Sequence, residues 1–372
     1  MTNNDSRPIY FAGLNGLRAI AALAVVVAHI TLNLPQFGLD PYIFGTFANG
    51  KPKGLDLAAH GVSIFFVLSG FLITYLLLAE KQQQPIDIKK FYLRRILRIW
   101  PLYYLYLAIA IVVMVILNLK FDGRMLLLYI FYAANIPFIL ETTIPLIAHY
   151  WSLGVEEQFY LFWPWVVKKI DKLIVPIVLF IAALIGTKLF MHFVYGPNTL
   201  PELIIDTTRF HCMMIGALGA ILYRKGNHWL IKLADNKLVQ AGCWGVLLLV
   251  AVNKFHVASV IDTELISVMA MCLIVGQINI TNRLINLENN VFDFLGKISY
   301  GIYVIHPLLI FLLSKIIPDV PLPSPLNYIS VYLLITGATI LLAWLSYSYF
   351  EKPFLRLKNR FVVVKSTAAK HQ

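Results

Sequence analysis

Along its length the chain alternates long apolar runs with short polar breaks, most of them basic. Runs long enough to cross a hydrocarbon core as a helix fall near 19–35, 60–79, 99–118, 150–167, 173–194, 210–223, 238–252, 265–280, 295–317 and 327–350. A further run, 125–140 ("MLLLYIFYAANIPFIL"), is short and carries Asn135 and Pro137. The pattern predicts an all-α polytopic bundle of ten spanning helices, with 125–140 as one re-entrant or interfacial helix on the outer side. The first run continues past signal-peptide length without a small-residue cleavage site, so it reads as an uncleaved first span.

Charge fixes the expected orientation. With 125–140 kept out of the count and the N-terminus in the cytoplasm, inner segments hold 23 of the 31 Lys and Arg. Outer segments then hold seven and Lys188 lies within a span. If 125–140 crossed, "KKIDK" at 168–172 and the basic C-terminal tail would fall on opposite faces, against the positive-inside rule. The expectation is a multi-pass protein of the cytoplasmic (inner) membrane with both termini cytoplasmic. A membrane domain covers 8–354, and a basic cytoplasmic tail covers 355–372.

Composition agrees: 59% hydrophobic and 13% charged residues, with a mean hydropathy of +0.74, exclude a soluble domain. The net charge of +12 sits between apolar runs instead of on a polar stripe, which argues for membrane lipids and against nucleic acid. Cys212, Cys243 and Cys272 stand singly, without metal or redox spacing. No metal site is expected.

Ionisable groups within apolar spans cost about 2 to 4 kcal/mol each on insertion scales and by default face a cavity or a partner. Arg18 and His29 are eleven residues apart, three helical turns, so they share one face at a separation of roughly 16 Å. That distance is comparable to the reach of a phosphopantetheine arm: an anionic carrier held at Arg18 would place its reactive end near an imidazole. A topology anchor and a packing histidine are the alternative reading. In "KKFYLRRILRIWPLYY", Arg94, Arg95 and Arg98 line one side of a helix entering from the cytoplasm. They suit phosphates or anionic lipid. In "HYWSLGVEEQFYLFWP", His149 and Glu156 face the same way and Glu157 points about 100° round. A carboxylate there serves chemistry or ties helices together. In "FLGKISYGIYVIHPLLI", Ser299, Tyr300, Tyr303 and His306 precede Pro307, where the helix can line a cavity; ordinary bundle packing is the alternative reading, and the favoured one for Tyr300. Gly61 and Gly70 offer close helix approach.

The chain has no GxxxxGK(S/T) phosphate loop, GxSxG elbow or HExxH zinc motif, and no HxxxxD. Taken together, "GLRAIAALAVVVAH", "GVSIFFVLSGFLIT", "FYLRRILRIWPLYY", "WSLGVEEQFYLFWP", "GKISYGIYVIHP" and "SYSYFEKPF" resemble, in order, the acyltransferase family 3 integral membrane proteins. The family's Arg-x10-His feature falls on Arg18 and His29, and its RxxR feature on Arg95 and Arg98. The resemblance implies a membrane O-acyltransferase that takes an acyl group, usually acetyl, from cytoplasmic acyl-CoA. The acceptor would be a carbohydrate or lipid-linked glycan hydroxyl in envelope or surface polysaccharide.

Acyl-CoA would be a co-substrate, with no permanently bound cofactor. Arg18, Arg95 and Arg98 would hold it. His29 would act as general base or transient acyl carrier, and Glu156 would orient or charge-balance an imidazole or Arg. His149, Tyr300 and His306 are candidates to line the cavity. Some members carry an extracytoplasmic SGNH-type domain after the bundle; with the chain ending at Gln372, the stand-alone form is expected. A secondary transporter of an anionic substrate, or a non-catalytic partner in envelope assembly, also places charges in spans, although paired halves with interrupted helices are not evident.

Overall fold

The structure, a computed structural model, describes residues 9–46, 50, 52–196, 199–364 and 366–367. Arg7, Lys51, Lys365 and Lys370, four of the charges counted above, lie outside the described residues, as do residue 8 and positions 368–372. The described chain is almost wholly helical. Its order is β1 (Ile9–Tyr10), α1 (Leu14–Asn33), α2 (Leu55–Gln83), α3 (Ile88–Ile116), α4 (Leu126–Ile130), α5 (Asn135–Ile139), α6 (Tyr150–Lys169) and α7 (Ile174–Tyr195). Then follow α8 (Leu200–Thr208), α9 (Phe210–Arg224), α10 (His228–Asp235), α11 (Lys237–Ala251), α12 (Asp262–Ile278), α13 (Asn290–Ile316), α14 (Leu326–Leu345), α15 (Lys352–Lys358) and β2 (Ser366–Thr367). A π-helical segment, Ser346–Glu351, joins α14 to α15, and β2 pairs in parallel with β1.

Among the described residues, six helical stretches are long and apolar enough to cross a membrane, and the α10–α11 pair, bent by 65°, makes a seventh if read as one broken span. This is fewer than the ten runs of the sequence. The difference has a physical origin: α9 and α12 have 15 and 17 residues, and α6 carries Glu156, Glu157, Lys168 and Lys169. These helices bury much of their surface against protein, where length and polarity are less constrained than against lipid.

The middle of the bundle is α1, α2 and α13, whose most apolar windows are 56%, 67% and 61% buried, whereas α7 and α14 at 11% and 22% form its rim. Small residues permit this density. A Cβ on Gly70 of α2 would collide with the Met213 carbonyl of α9, one on Gly216 with that of Val67, and one on Gly61 would sit 2.9 Å from the Ala21 carbonyl of α1.

The 125–140 stretch forms two five-residue helices instead of one, broken at Tyr132 with φ +57°. Side chains satisfy carbonyls freed by the break, as buried backbone requires. Tyr103 donates to the Tyr129 carbonyl (2.6 Å), Tyr104 to that of Ile130 (2.8 Å), and Gln158 to that of Tyr132 (3.0 Å).

Candidate active site

The N-terminal end of α3 is set by Asp87, which caps the helix by accepting the Lys90 N–H (3.0 Å) and donates its own N–H to Glu80 (3.0 Å). Glu80, 2% exposed, pairs with Arg94 at 2.9 Å, and Arg94 also donates to the Phe361 carbonyl (2.9 Å). Arg94 is thus a bracket between α2, α3 and the C-terminal segment, unlike its two neighbours with which the sequence groups it.

Arg95 and Arg98 join Arg18 of α1 around a cavity of about 410 Å³. The Arg95 guanidinium lies 5.3 Å from the Tyr160 ring centre and 5.7 Å from that of Phe91, so aromatic faces orient it. Arg18 donates to Asn15 Oδ1 at 3.3 Å. None of the three has a carboxylate within ion-pairing distance among the described residues. Glu156 lines the same cavity and accepts hydrogen bonds from Ser69 and Tyr160. Glu157, one residue on, does not line it and keeps a buried oxygen without a partner. Tyr300, donating to the Ile99 carbonyl (2.8 Å), completes one wall, with Glu351 of the π-helical segment and Lys358 of α15.

A second cavity of about 480 Å³ opens toward the other ends of the helices, lined by His29, Asn33, Gln36, Lys120 and His149 among others. His29 Nδ1 lies 2.7 Å from His306 Nε2, and the rings stack at 4.9 Å and 17°. His306 Nδ1 lies 3.1 Å from the Ile302 carbonyl. A carbonyl only accepts, so His306 carries its proton on Nδ1 and offers the Nε2 lone pair to His29 Nδ1–H. The neutral pair therefore leaves the His29 Nε2 lone pair without a partner among the described residues. His149 donates from Nε2 to the Val304 carbonyl (3.1 Å), and its ring centre is 5.5 Å from that of His306.

Between the cavities runs a thin seam. Tyr303 and Ser152 line the arginine cavity, and His149 lines the histidine cavity. The Tyr303 hydroxyl donates to the His149 carbonyl (2.8 Å) and accepts from Ser152.

Every candidate has a definite place. Arg18, Arg95, Arg98, Glu156 and Tyr300 surround the arginine cavity, His29 and His149 the histidine cavity, and His306 bonds His29. Arg18 and His29 share a helix as the spacing predicts, yet open into different cavities instead of one cleft. Glu156 touches no imidazole among the described residues, so its partners are hydroxyls and its charge faces the arginines. Glu351 and Lys358 escape a reading by apolar runs, because both follow the point where hydropathy marks the end of the last span. The only available signal was the closing "SYSYFEKPF", which contains Glu351.

The chain matches the family described as Acyltransferase domain over residues 11–348. It is 26% identical over 385 residues to the peptidoglycan O-acetyltransferase OatA of Listeria monocytogenes (serovar 1/2a), covering 95% of this chain and 57% of that protein. It is 26% identical over 380 residues to the O-acetyltransferase OatA of Staphylococcus aureus (strain NCTC 8325), covering 93% and 57%. The chain therefore spans a little over half the length of the curated relatives it matches. No solved structure matches it.

Proposed function

We propose, from the premise that the chain belongs to the acyltransferase family it matches over residues 11–348, that it moves an acyl group from acyl-CoA to a hydroxyl of a carbohydrate acceptor. The names of the relatives favour acetyl as the group and a cell-wall or other envelope glycan as the acceptor. The observation that carries the reading is that one helix, α1, lends Arg18 to a cavity of unpaired cations and His29 to a second cavity as a directed base.

In this reading the chain crosses the membrane ten times with both termini cytoplasmic, so the arginine cavity faces the acyl-CoA pool. Arg18, Arg95 and Arg98 hold the phosphates, and Glu156 balances the arginines against one another. The thioester end passes the Tyr303–His149 seam. His29 Nε2 then takes the proton from the acceptor hydroxyl while its oxygen attacks the thioester carbonyl. The C–S bond breaks, the imidazolium returns the proton to the departing thiolate, and the acyl ester and free CoA remain. Transfer through an acyl-His29 intermediate uses the same two groups in two steps.

The test is purified protein in proteoliposomes with labelled acetyl-CoA and a glycan acceptor. Labelled ester with stoichiometric CoA release is the expected result. Flux without turnover would replace the reading with a transporter, and neither flux nor turnover with an assembly partner.

A further inference from the structure

The stretch from Leu326 to Phe361 runs as 36 residues, which at 1.5 Å each is about 54 Å of helix, against a hydrocarbon core of about 30 Å. In the ten-span reading proposed above, α14 starts on the outer side, and a stretch of this length would carry α15 past the inner membrane face. This end is tied by the packing of α15 on α3 and by the Arg94 bond to the Phe361 carbonyl (2.9 Å). Lys358 of α15 lines the same cavity as Arg18, Arg95 and Arg98, and no carboxylate lies within ion-pairing distance of it among the described residues.

Depth assigns a ligand to each cation. Arg98 lies ten residues inside α3, about 15 Å along it, and Arg18 four residues inside α1. Lys358 is the last residue of α15, at the far end of the stretch that begins at Leu326. A coenzyme A molecule that enters thioester first leaves its ribose, with a 3′-phosphate of nearly two negative charges, at the mouth. An ammonium on a flexible stem suits such a point charge.

We propose that Lys358 binds the 3′-phosphate of the donor. The C-terminal helix, which hydropathy marks as tail, is then the part of the donor site that distinguishes coenzyme A from its 3′-dephospho form. The inference rests on the reading of the arginine cavity as the acyl-CoA site.

The test uses the full chain in detergent and measures the affinities of acetyl-CoA and 3′-dephospho-acetyl-CoA. Wild type should prefer acetyl-CoA by at least about tenfold, the scale of one charge-assisted hydrogen bond. Lys358→Met should bring acetyl-CoA down to the level of the dephospho analogue while leaving that analogue unchanged, and Lys358→Arg should restore the preference. Retained preference in Lys358→Met, or equal weakening of both compounds, overturns the assignment. Wild type that binds both compounds equally refutes the role of Lys358 and leaves the donor cavity standing. Wild type that binds neither ends the donor reading and this inference with it.

Discussion

His29 and His306 are 277 positions apart in the chain and share a hydrogen bond of 2.7 Å, with Nδ1 of the first facing Nε2 of the second. The Ile302 carbonyl fixes the far nitrogen of His306 as a donor, so a backbone oxygen of α13 decides which nitrogen of α1 is basic. His29→Ala should lower kcat by about 10² to 10⁴, the usual worth of a positioned base, with donor affinity unchanged. His306→Phe removes only the orienting partner and should cost about ten- to a hundredfold. Steady-state turnover beside an acetyl-CoA binding isotherm checks both. Equal losses would assign the chemistry to His306 as much as to His29.

Arg95 and Arg98 face the arginine cavity without carboxylate partners, while Arg94 is committed to Glu80. The double substitution Arg95→Ala/Arg98→Ala should weaken acyl-CoA binding by about a hundredfold or more, the scale of two charge-assisted hydrogen bonds to phosphate, with the unfolding temperature in detergent little changed. Arg94→Ala should act in the other register. It leaves the buried Glu80 carboxylate without its cation and with the Asp87 N–H as its remaining donor, at about 3 to 5 kcal/mol, visible as a lower unfolding temperature.

Helical periodicity and span polarity made much of this architecture legible. The turn count from Arg18 to His29 put both on one helix, α1, and the short 125–140 run, with Asn135 and Pro137, folds as two five-residue helices where one was expected. What the sequence could not supply was contact between distant segments. Nothing local to α1 announces His306, and nothing in the spacing of His149 and Glu156 says that a seam separates them. A reading by apolar runs also ends the last span at 350, so it misses Lys358, whose neighbours around the cavity include other cations.

Lys188 is 1% exposed and forms ion pairs with Asp206 (2.8 Å) and Glu264 (3.1 Å), tying α7 to α8 and α12. His211 of α9 lies 3.4 Å from the same Glu264. This cluster lines neither cavity, so its expected effect is on stability. Lys188→Met alone should destabilise by about 3 to 5 kcal/mol, because Glu264 is left as a buried charge. Adding Glu264→Gln should recover most of that loss, a coupling that a double-mutant cycle in detergent unfolding would measure. Additive losses would mean the pair contributes nothing as a pair.

The seam between the cavities yields the last expectation. In the proposed reaction the acyl group has to reach a base on the far side of Tyr303, while water on that side has to be kept from the thioester. The Tyr303 ring faces Phe65 at 6.2 Å and His149 at 5.5 Å, and its hydroxyl holds the His149 carbonyl. The ring supplies the bulk of the barrier and the hydroxyl its position. Tyr303→Ala should join the two cavities and raise acceptor-independent CoA release by about tenfold, since water then competes with the acceptor for the thioester. Tyr303→Phe keeps the ring and should leak little, although it leaves the His149 carbonyl without that donor and lowers stability by about 1 to 3 kcal/mol. A thiol assay of free CoA without acceptor separates the two variants. If both leak alike, the hydroxyl closes the seam; if neither leaks, another group keeps water from the thioester.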